Sequence, residues 1–250
     1  MIISVVGLGK IGLPLAAQYS LRGHRVIGVD IDQKTVDLVN SGLEPFPGET
    51  GLAAALSKLT SEGRLSATSS YASAIPVSDA VVVVVPLFTD ASGQPDFAWM
   101  DSATQSIGRN LTRDTLVLYE TTLPIGTTRN RWGPQLEKSS GLIAEEDFHL
   151  AFSPERVLTG RVFEDLRKYP KLVGGLSGKG ASKAVEFYES VIEFDSRDDL
   201  DKANGVWDLG SAEAAEMAKL AETTYRDVNI ALANEFASHA ESLGVDVYDV

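Results

Sequence analysis

The chain has 250 residues, 44% of them hydrophobic and 23% charged, which suffices for one large domain or two smaller ones with a substantial core. Its formal net charge of −13 argues against binding to nucleic acid or an anionic membrane, both of which need a basic face. Anionic small ligands stay open, since helix N-termini and a few local cations hold phosphates. The absence of cysteine excludes disulfides and thiolate metal sites and fits a reducing compartment.

The apolar start Met1–Val6 is too short for a secretion signal, lacks a basic leader and runs directly into a glycine loop. The run Val81–Val85 has strand length, far below the roughly 20 residues of a membrane span. The expectation is a cytoplasmic protein with neither a membrane nor a nucleic-acid partner.

Along the chain, short apolar runs alternate with amphipathic segments of helical length. Strands are expected at Ile2–Val6, Arg25–Val29, Ala80–Val85, Thr115–Tyr119, His149–Phe152 and Lys171–Val173. Their nearly continuous hydrophobicity suits strands buried on both faces of a parallel sheet. Helices are expected at Leu13–Arg22, Gln33–Asn40, Leu52–Glu62, Met100–Asn110, Thr127–Lys138 and Gly180–Ile192. This order predicts an α/β fold, a doubly wound Rossmann-type parallel sheet.

The polar, aspartate-rich stretch Ser196–Gly210 reads as irregular and marks a domain boundary. Residues 1–205 are expected to form a dinucleotide-binding domain, and 206–250 to open an all-α central domain. Ser211–Leu243 has no internal Pro or Gly, a serine to cap its start and Gly244 to end it. That is one helix on the order of 50 Å long. Its alanine-rich faces call for another helix to pack against, from a second subunit.

Four constellations carry chemistry. In Gly7-Leu-Gly9-Lys-Ile-Gly12, between a strand and a helix, Gly7 permits the turn and Gly9 the approach of a pyrophosphate. Gly12 lets helix and strand pack closely. Asp30, ending the second strand, would accept from ribose hydroxyls and repel a 2′-phosphate, favouring NAD over NADP. Glu120-Thr-Thr-Leu-Pro-Ile-Gly-Thr-Thr128 follows a strand, which places Thr121 and Thr122 at the ligand crevice, or makes them a helix cap. In Phe152-Ser-Pro-Glu-Arg-Val-Leu-Thr-Gly160, Glu155 and Arg156 suit a base and a phosphate ligand, or a surface ion pair. On the long helix, Lys219, Thr223 and Arg226 share a face, as an anion-binding stripe or as a solvated face with a Glu222–Arg226 pair. The histidines His24, His149 and His239 do not cluster, and no metal site is expected.

In this order and spacing, GLGKIGLPLA, GVDID, ETTLPIGTT, SPERVLTG and AEMAKLAETTYRDVNIALANE resemble the UDP-glucose/GDP-mannose dehydrogenase family over essentially the whole chain. SPERVLTG is more similar to the branch acting on UDP-N-acetylhexosamines than to the one acting on UDP-glucose. The resemblance implies oxidation of a UDP-sugar C6 alcohol to the uronate by two NAD in succession, through a cysteine thiohemiacetal and thioester. It implies catalytic roles for Thr122 (holding a water), Glu155 (thioester hydrolysis), Lys219 (oxyanion stabilisation) and Thr223, which stands where the family usually has Asn. Cofactor contacts are expected from Gly7, Gly9, Lys10, Ile11, Gly12, Asp30, Lys34, Pro86 and Thr121. Substrate contacts are expected from Glu155, Arg156, Val157, Lys219 and Arg226.

The family's cysteine loop and UDP-binding domain have no counterpart here. The 250 residues are therefore expected to be an N-terminal portion, silent alone, that forms a homodimer through 211–243. The alternatives are a β-hydroxyacid dehydrogenase, which shares the Rossmann-plus-helix plan but lacks LPIGTT and SPERVLTG, and a catalytically silent NAD-binding dimer module.

Overall fold

A computed structural model describes residues 1–250. Its first half alternates β1 (Ile2–Val6), α1 (Gly12–Leu21), β2 (Arg25–Val29), α2 (Gln33–Asn40), α3 (Leu52–Ser61), β3 (Leu65–Thr68) and the short α4 (Tyr71–Ala74). There follow β4 (Ala80–Val83), a small hairpin of β5 (Phe88–Thr89) and β6 (Pro95–Asp96), α5 (Ala98–Gly108) and β7 (Leu116–Tyr119). A π-turn at Thr128–Trp132 leads into α6 (Gly133–Ser140), then β8 (His149–Phe152), α7 (Val162–Lys168) and β9 (Lys171–Gly175). The chain closes with α8 (Gly178–Val191), β10 (Val206–Asp208) and α9 (Ala212–Ser242).

Eight strands form one sheet in the order β10-β9-β8-β7-β4-β1-β2-β3. The run from β3 to β8 is the doubly wound order, parallel throughout, with its switch point between β1 and β4. Alternate residues feed the two faces: Ala80, Val82, Leu116 and Leu118 meet α1 and α8, while Val81, Val83, Val117 and Tyr119 meet Met100 and Trp132. Burial on both faces is the physical reason these strands carry unbroken apolar runs.

Three expectations need correction. The sheet is not wholly parallel, because β9 pairs antiparallel with β8. The stretch 196–210 is not all irregular, because Val206–Asp208 pairs with Lys171–Val173, so the sheet runs past the boundary expected at residue 205. The helix expected over Thr127–Lys138 begins as the π-turn, with Pro134 and Gly133 starting regular α-helix only afterwards. β3 and α7 are additional elements.

α9 begins with Ser211, whose side chain accepts from the Ala214 N–H, and its first turns pack on the sheet with Ala212, Ala215 and Glu216 buried. Gly174 on β9 allows this contact, since a Cβ there would lie 1.9 Å from the Ser211 carbonyl oxygen. From Thr224 to Phe236 every residue of α9 is exposed. Gly174→Ala should cost about 1–3 kcal/mol through overpacking against backbone. Gly178→Ala, where a Cβ meets nothing within 4 Å, should leave stability unchanged within about 0.5 kcal/mol. Urea unfolding of both variants checks the contrast.

Candidate active site

At the carboxyl ends of β1 and β4 the sheet opens into two adjoining cavities that share Gly9, Val84 and Pro86. The first, about 380 Å³, is walled by Gly7, Asp30, Ile31, Tyr71, Trp99 and Ser102. Asp30 is held in place by N–H groups from Leu8 (2.7 Å, to Oδ2) and Asp32 (2.9 Å, to Oδ1). Burial and the neighbouring Asp30 charge push the Tyr71 phenol up to about 12, so it is a neutral wall. Gly9 faces open space, with nothing within 4 Å of a would-be Cβ, whereas a Cβ at Gly12 would strike the Gly7 carbonyl at 1.8 Å. The loop is packed tightly beneath and left bare above, as backbone approached by a pyrophosphate must be. The residues present therefore fit a dinucleotide.

The second cavity, about 610 Å³, brings together Lys10, Ile11, Gly12, Thr121, Thr122, Glu155, Val157 and Lys219, with Glu120 behind them. Strand ends from β7 and β8 and the first turns of α9 thus meet in one place. Thr122 is exposed there. Thr121 instead donates its hydroxyl to the Val85 carbonyl at 2.6 Å, so it braces the loop after β4 and offers a ligand only its lone pairs. Glu155 Oε1 accepts from the N–H groups of Arg156 (2.6 Å) and Val157 (2.9 Å). Lys219 donates to the Glu155 carbonyl oxygen, and burial lowers its pKa from the ordinary lysine value.

Behind this wall lies a charged cluster that sequence reasoning missed. Lys171 Nζ donates to Glu120 Oε2 at 2.7 Å and to Glu155 Oε2 at 3.4 Å, and all three side chains are at most 12% exposed. Tyr188 and Tyr19 donate to Glu120 Oε1 at 2.7 and 3.2 Å. Burial, opposed by Lys171, pushes Glu120 up to about 7. Burial also works against charge on Glu155, but Lys171, the Glu120 carboxyl and the two N–H groups outweigh it and hold Glu155 below its ordinary value. The signal available in the sequence was a lysine opening an otherwise apolar strand.

Four predicted site residues are placed elsewhere. Arg156 makes a bidentate ion pair with Glu222 (2.8 and 3.0 Å) and donates to the Pro170 carbonyl, so its guanidinium is committed to protein partners. Glu222 accordingly pairs with Arg156 and not with Arg226. Thr223 turns its hydroxyl back onto the Lys219 carbonyl at 2.8 Å, as hydroxyls inside helices do, and with Arg226 lines a separate shallow surface hollow. Lys34, in the first turn of α2, lines neither cavity. A wider open groove of about 760 Å³ around His24, Asp79 and Arg113 lies at the opposite, amino-terminal edge of the strands. It has no part of the glycine loop in its walls.

Helix α9 is fastened to this site by Glu216. Its buried carboxylate accepts from Gly126 N (2.5 Å), Thr128 N (2.9 Å) and Thr128 Oγ1 (2.6 Å).

A doubly wound sheet with a bare glycine loop, an acidic residue ending β2 and a Thr–Glu–Lys wall at the strand ends defines a dinucleotide-binding domain of the Rossmann class. Residues 1–192 match the NAD binding domain of the UDP-glucose/GDP-mannose dehydrogenase family and residues 213–250 match its central domain, and the chain belongs to that family. It is 36% identical, over all 250 residues, to the UDP-N-acetyl-D-mannosamine dehydrogenase of Pyrococcus horikoshii, of which it covers 56%. It is 35% identical to the NDP-N-acetyl-D-galactosaminuronic acid dehydrogenase of Ralstonia nicotianae, covering 99% of this chain and 56% of that protein. Among solved structures, GDP-mannose dehydrogenase from Pseudomonas aeruginosa in a ternary complex superposes with a TM-score of 0.89 at 29% identity, over 100% of this chain and 55% of that one. The chain thus spans about half the length of the relatives it matches. A 3-hydroxyisobutyrate dehydrogenase from Salmonella typhimurium, at 14% identity and a TM-score of 0.62, shares the fold alone.

Glu216→Ala should destabilise the protein by about 3 kcal/mol or more, since it strands two inward-facing N–H groups and a hydroxyl. Glu216→Gln, which keeps one acceptor oxygen, should cost less. Urea unfolding together with limited proteolysis within α9 measures both effects.

Proposed function

We propose that these residues carry the dinucleotide site and one wall of the sugar site of an NAD-dependent nucleotide-sugar 6-dehydrogenase. Its substrate is a UDP-sugar, specifically a UDP-N-acetylhexosamine, and its product the uronate. The supporting observation is the pair of adjoining cavities, with Asp30 at one end and Thr122, Glu155 and Lys219 at the other. That arrangement matches an extended dinucleotide whose reactive end meets the sugar. The similarity to dehydrogenases of N-acetylated sugars supports the substrate class. Matches over both segments, on either side of residue 205, favour this reading over a β-hydroxyacid dehydrogenase.

Gly7, Gly9, Lys10, Ile11 and Gly12 would hold the pyrophosphate, Asp30 the adenosine ribose, and Pro86 and Thr121 the nicotinamide end. The bound dinucleotide supplies the hydride acceptor. Lys219 offers an ammonium to oxygen charge developing on the sugar, and its tether to the Glu155 carbonyl fixes the direction from which it does so. Thr122 orients a water by its free hydroxyl. Glu155, positioned by two N–H groups, would accept that water's proton as its oxygen attacks the acyl carbon of a thioester, whose C–S bond breaks to release the thiolate. The thiol that would carry the acyl group is not among these 250 residues.

The exposed part of α9 carries Tyr225, Val228, Leu232 and Phe236 at helical spacing, each more than half exposed. An apolar stripe of this kind needs a partner, and a second copy of the helix is the one proposed.

Calorimetry should show NAD binding at least about tenfold tighter than NADP, because the Asp30 carboxylate opposes a 2′-phosphate. Asp30→Ala should weaken NAD and narrow the gap, while equal affinities for the unaltered protein would remove Asp30 from its role. In protein that turns over UDP-sugar, Lys219→Ala should lower kcat by about 100-fold or more with NAD affinity nearly unchanged.

For the helix, Leu232→Glu should move the sedimentation boundary from dimer to monomer. A parent protein that stays monomeric at high concentration would refute the pairing.

A further inference from the structure

We infer that Glu120 is the positioning residue of this site: it and Glu155 share one proton around the Lys171 ammonium, with Glu120 the holder, so that Glu155 faces the cavity as a carboxylate. The inference rests on the base role proposed for Glu155.

The topology brings the three groups together. Glu120 follows β7 and Glu155 follows β8, so both sit at carboxyl ends of neighbouring parallel strands. Because β9 runs antiparallel, with Gly174 opposite Phe152, its first residue Lys171 arrives at that same edge. A parallel β9 would have left its lysine on the far side of the sheet.

Charge then decides the proton count. Two carboxylates and one ammonium, all deeply buried, would hold a net negative charge in a place where water cannot compensate it. One proton held between the carboxyls removes that charge, and the Oε2 atoms of both face the same Lys171 ammonium, at 2.7 and 3.4 Å.

The partners decide which carboxyl holds it. Glu155 has two fixed N–H donors, Lys171, and the Lys219 ammonium on the cavity side, all favouring its charge. Glu120 is more deeply buried. Besides Lys171 it faces only two neutral phenols, Tyr19 from α1 and Tyr188 from α8, whose own ionisation lies well above the ordinary range. The Lys171 ammonium also lies 4.8 Å from the Tyr188 ring centre, which secures the cation between the two acids. Of the two acids, Glu120 has the weaker support for charge, and its burial raises it towards neutrality.

The consequence is a base that stays charged through the neutral range because a second, hidden carboxyl absorbs the proton. Carbon-13 NMR of protein labelled at the glutamate δ-carbon, titrated between pH 4.5 and 9, tests this directly. One signal should titrate near pH 7, vanish in Glu120→Gln, and fall by about one unit or more in Glu155→Gln, where the like charge is gone. A neutral-range titration that survives Glu120→Gln, or its absence from the wild-type protein, overturns the inference. Should Glu120→Gln fail to fold, the shift in Glu155→Gln decides, since that residue sits on the cavity wall. The titration requires neither dinucleotide nor sugar, so it succeeds or fails independently of the proposed activity.

Discussion

One buried carboxylate ties the two halves of the site together. A helix of 31 residues that is exposed from Thr224 to Phe236 cannot fix the position of a side chain by its own rigidity. Glu216 supplies the missing constraint by capping the segment that begins at Gly126 and Thr128, whose N–H groups have no partner within their own turn. The same loop bears Thr121 and Thr122, and Lys219 lies three residues beyond Glu216 on the same helical face. Threonine wall and lysine are therefore held in one frame by three hydrogen bonds to a single side chain. The π-turn at Thr128–Trp132 belongs to this arrangement, since a widened first turn is where a helix admits an outside group.

The second constraint is directional. Reversing β9 costs the regularity of the parallel sheet, but it carries the start of the strand to the edge where ligands bind. It also gives Gly174 the place against which α9 begins, so that one strand positions both the buried lysine and the base of the helix. Arg156 serves the same end from outside, since its bidentate pair with Glu222 clasps the loop after β8 to α9. Its commitment to protein partners leaves Lys219, which is half-buried, as the cation beside Thr122 and Glu155, with Lys10 at the glycine loop.

The parts legible in the sequence were those governed by local rules. The central strands declared themselves because burial on both faces demands unbroken apolar, β-branched residues, and α9 did so through its serine cap and uninterrupted helix formers. β3 (Leu-Ser-Ala-Thr) and β10 (Val-Trp-Asp) escaped because edge strands are short and need no such run. Among site residues, position along the fold was readable but partner choice was not. Thr122, Glu155 and Lys219 share a cavity wall, whereas Arg156, Thr223 and Lys34, equally suited by chemical type, do not line it. The Arg156 guanidinium answers to Glu222, distant in sequence, and the Thr223 hydroxyl to its own helix backbone. Lys171 shows the converse: as the first residue of a predicted strand it carried no local sign that a strand reversal would place it between two acids.

The acidic balance of the chain fits this picture once charge is considered locally. A dinucleotide brings a pyrophosphate to a protein of net charge −13, and summed over the molecule that is repulsive. The first turn of α1 carries no acidic side chain, and Lys10, Ile11 and Gly12 at its start line the cavity. Beyond the glycine loop Lys219 faces the cavity while Arg156 has already neutralised Glu222. Of the two carboxyls there, Glu155 on the wall is balanced by Lys171, and Glu120 behind it is the one inferred to hold the proton. At about 0.15 M ionic strength, charges more than roughly 8 Å away are screened, so the many surface acids weigh little against these few neighbours. Suppressing excess negative charge at one edge of the sheet is thus what allows a strongly acidic molecule to receive an anionic cofactor.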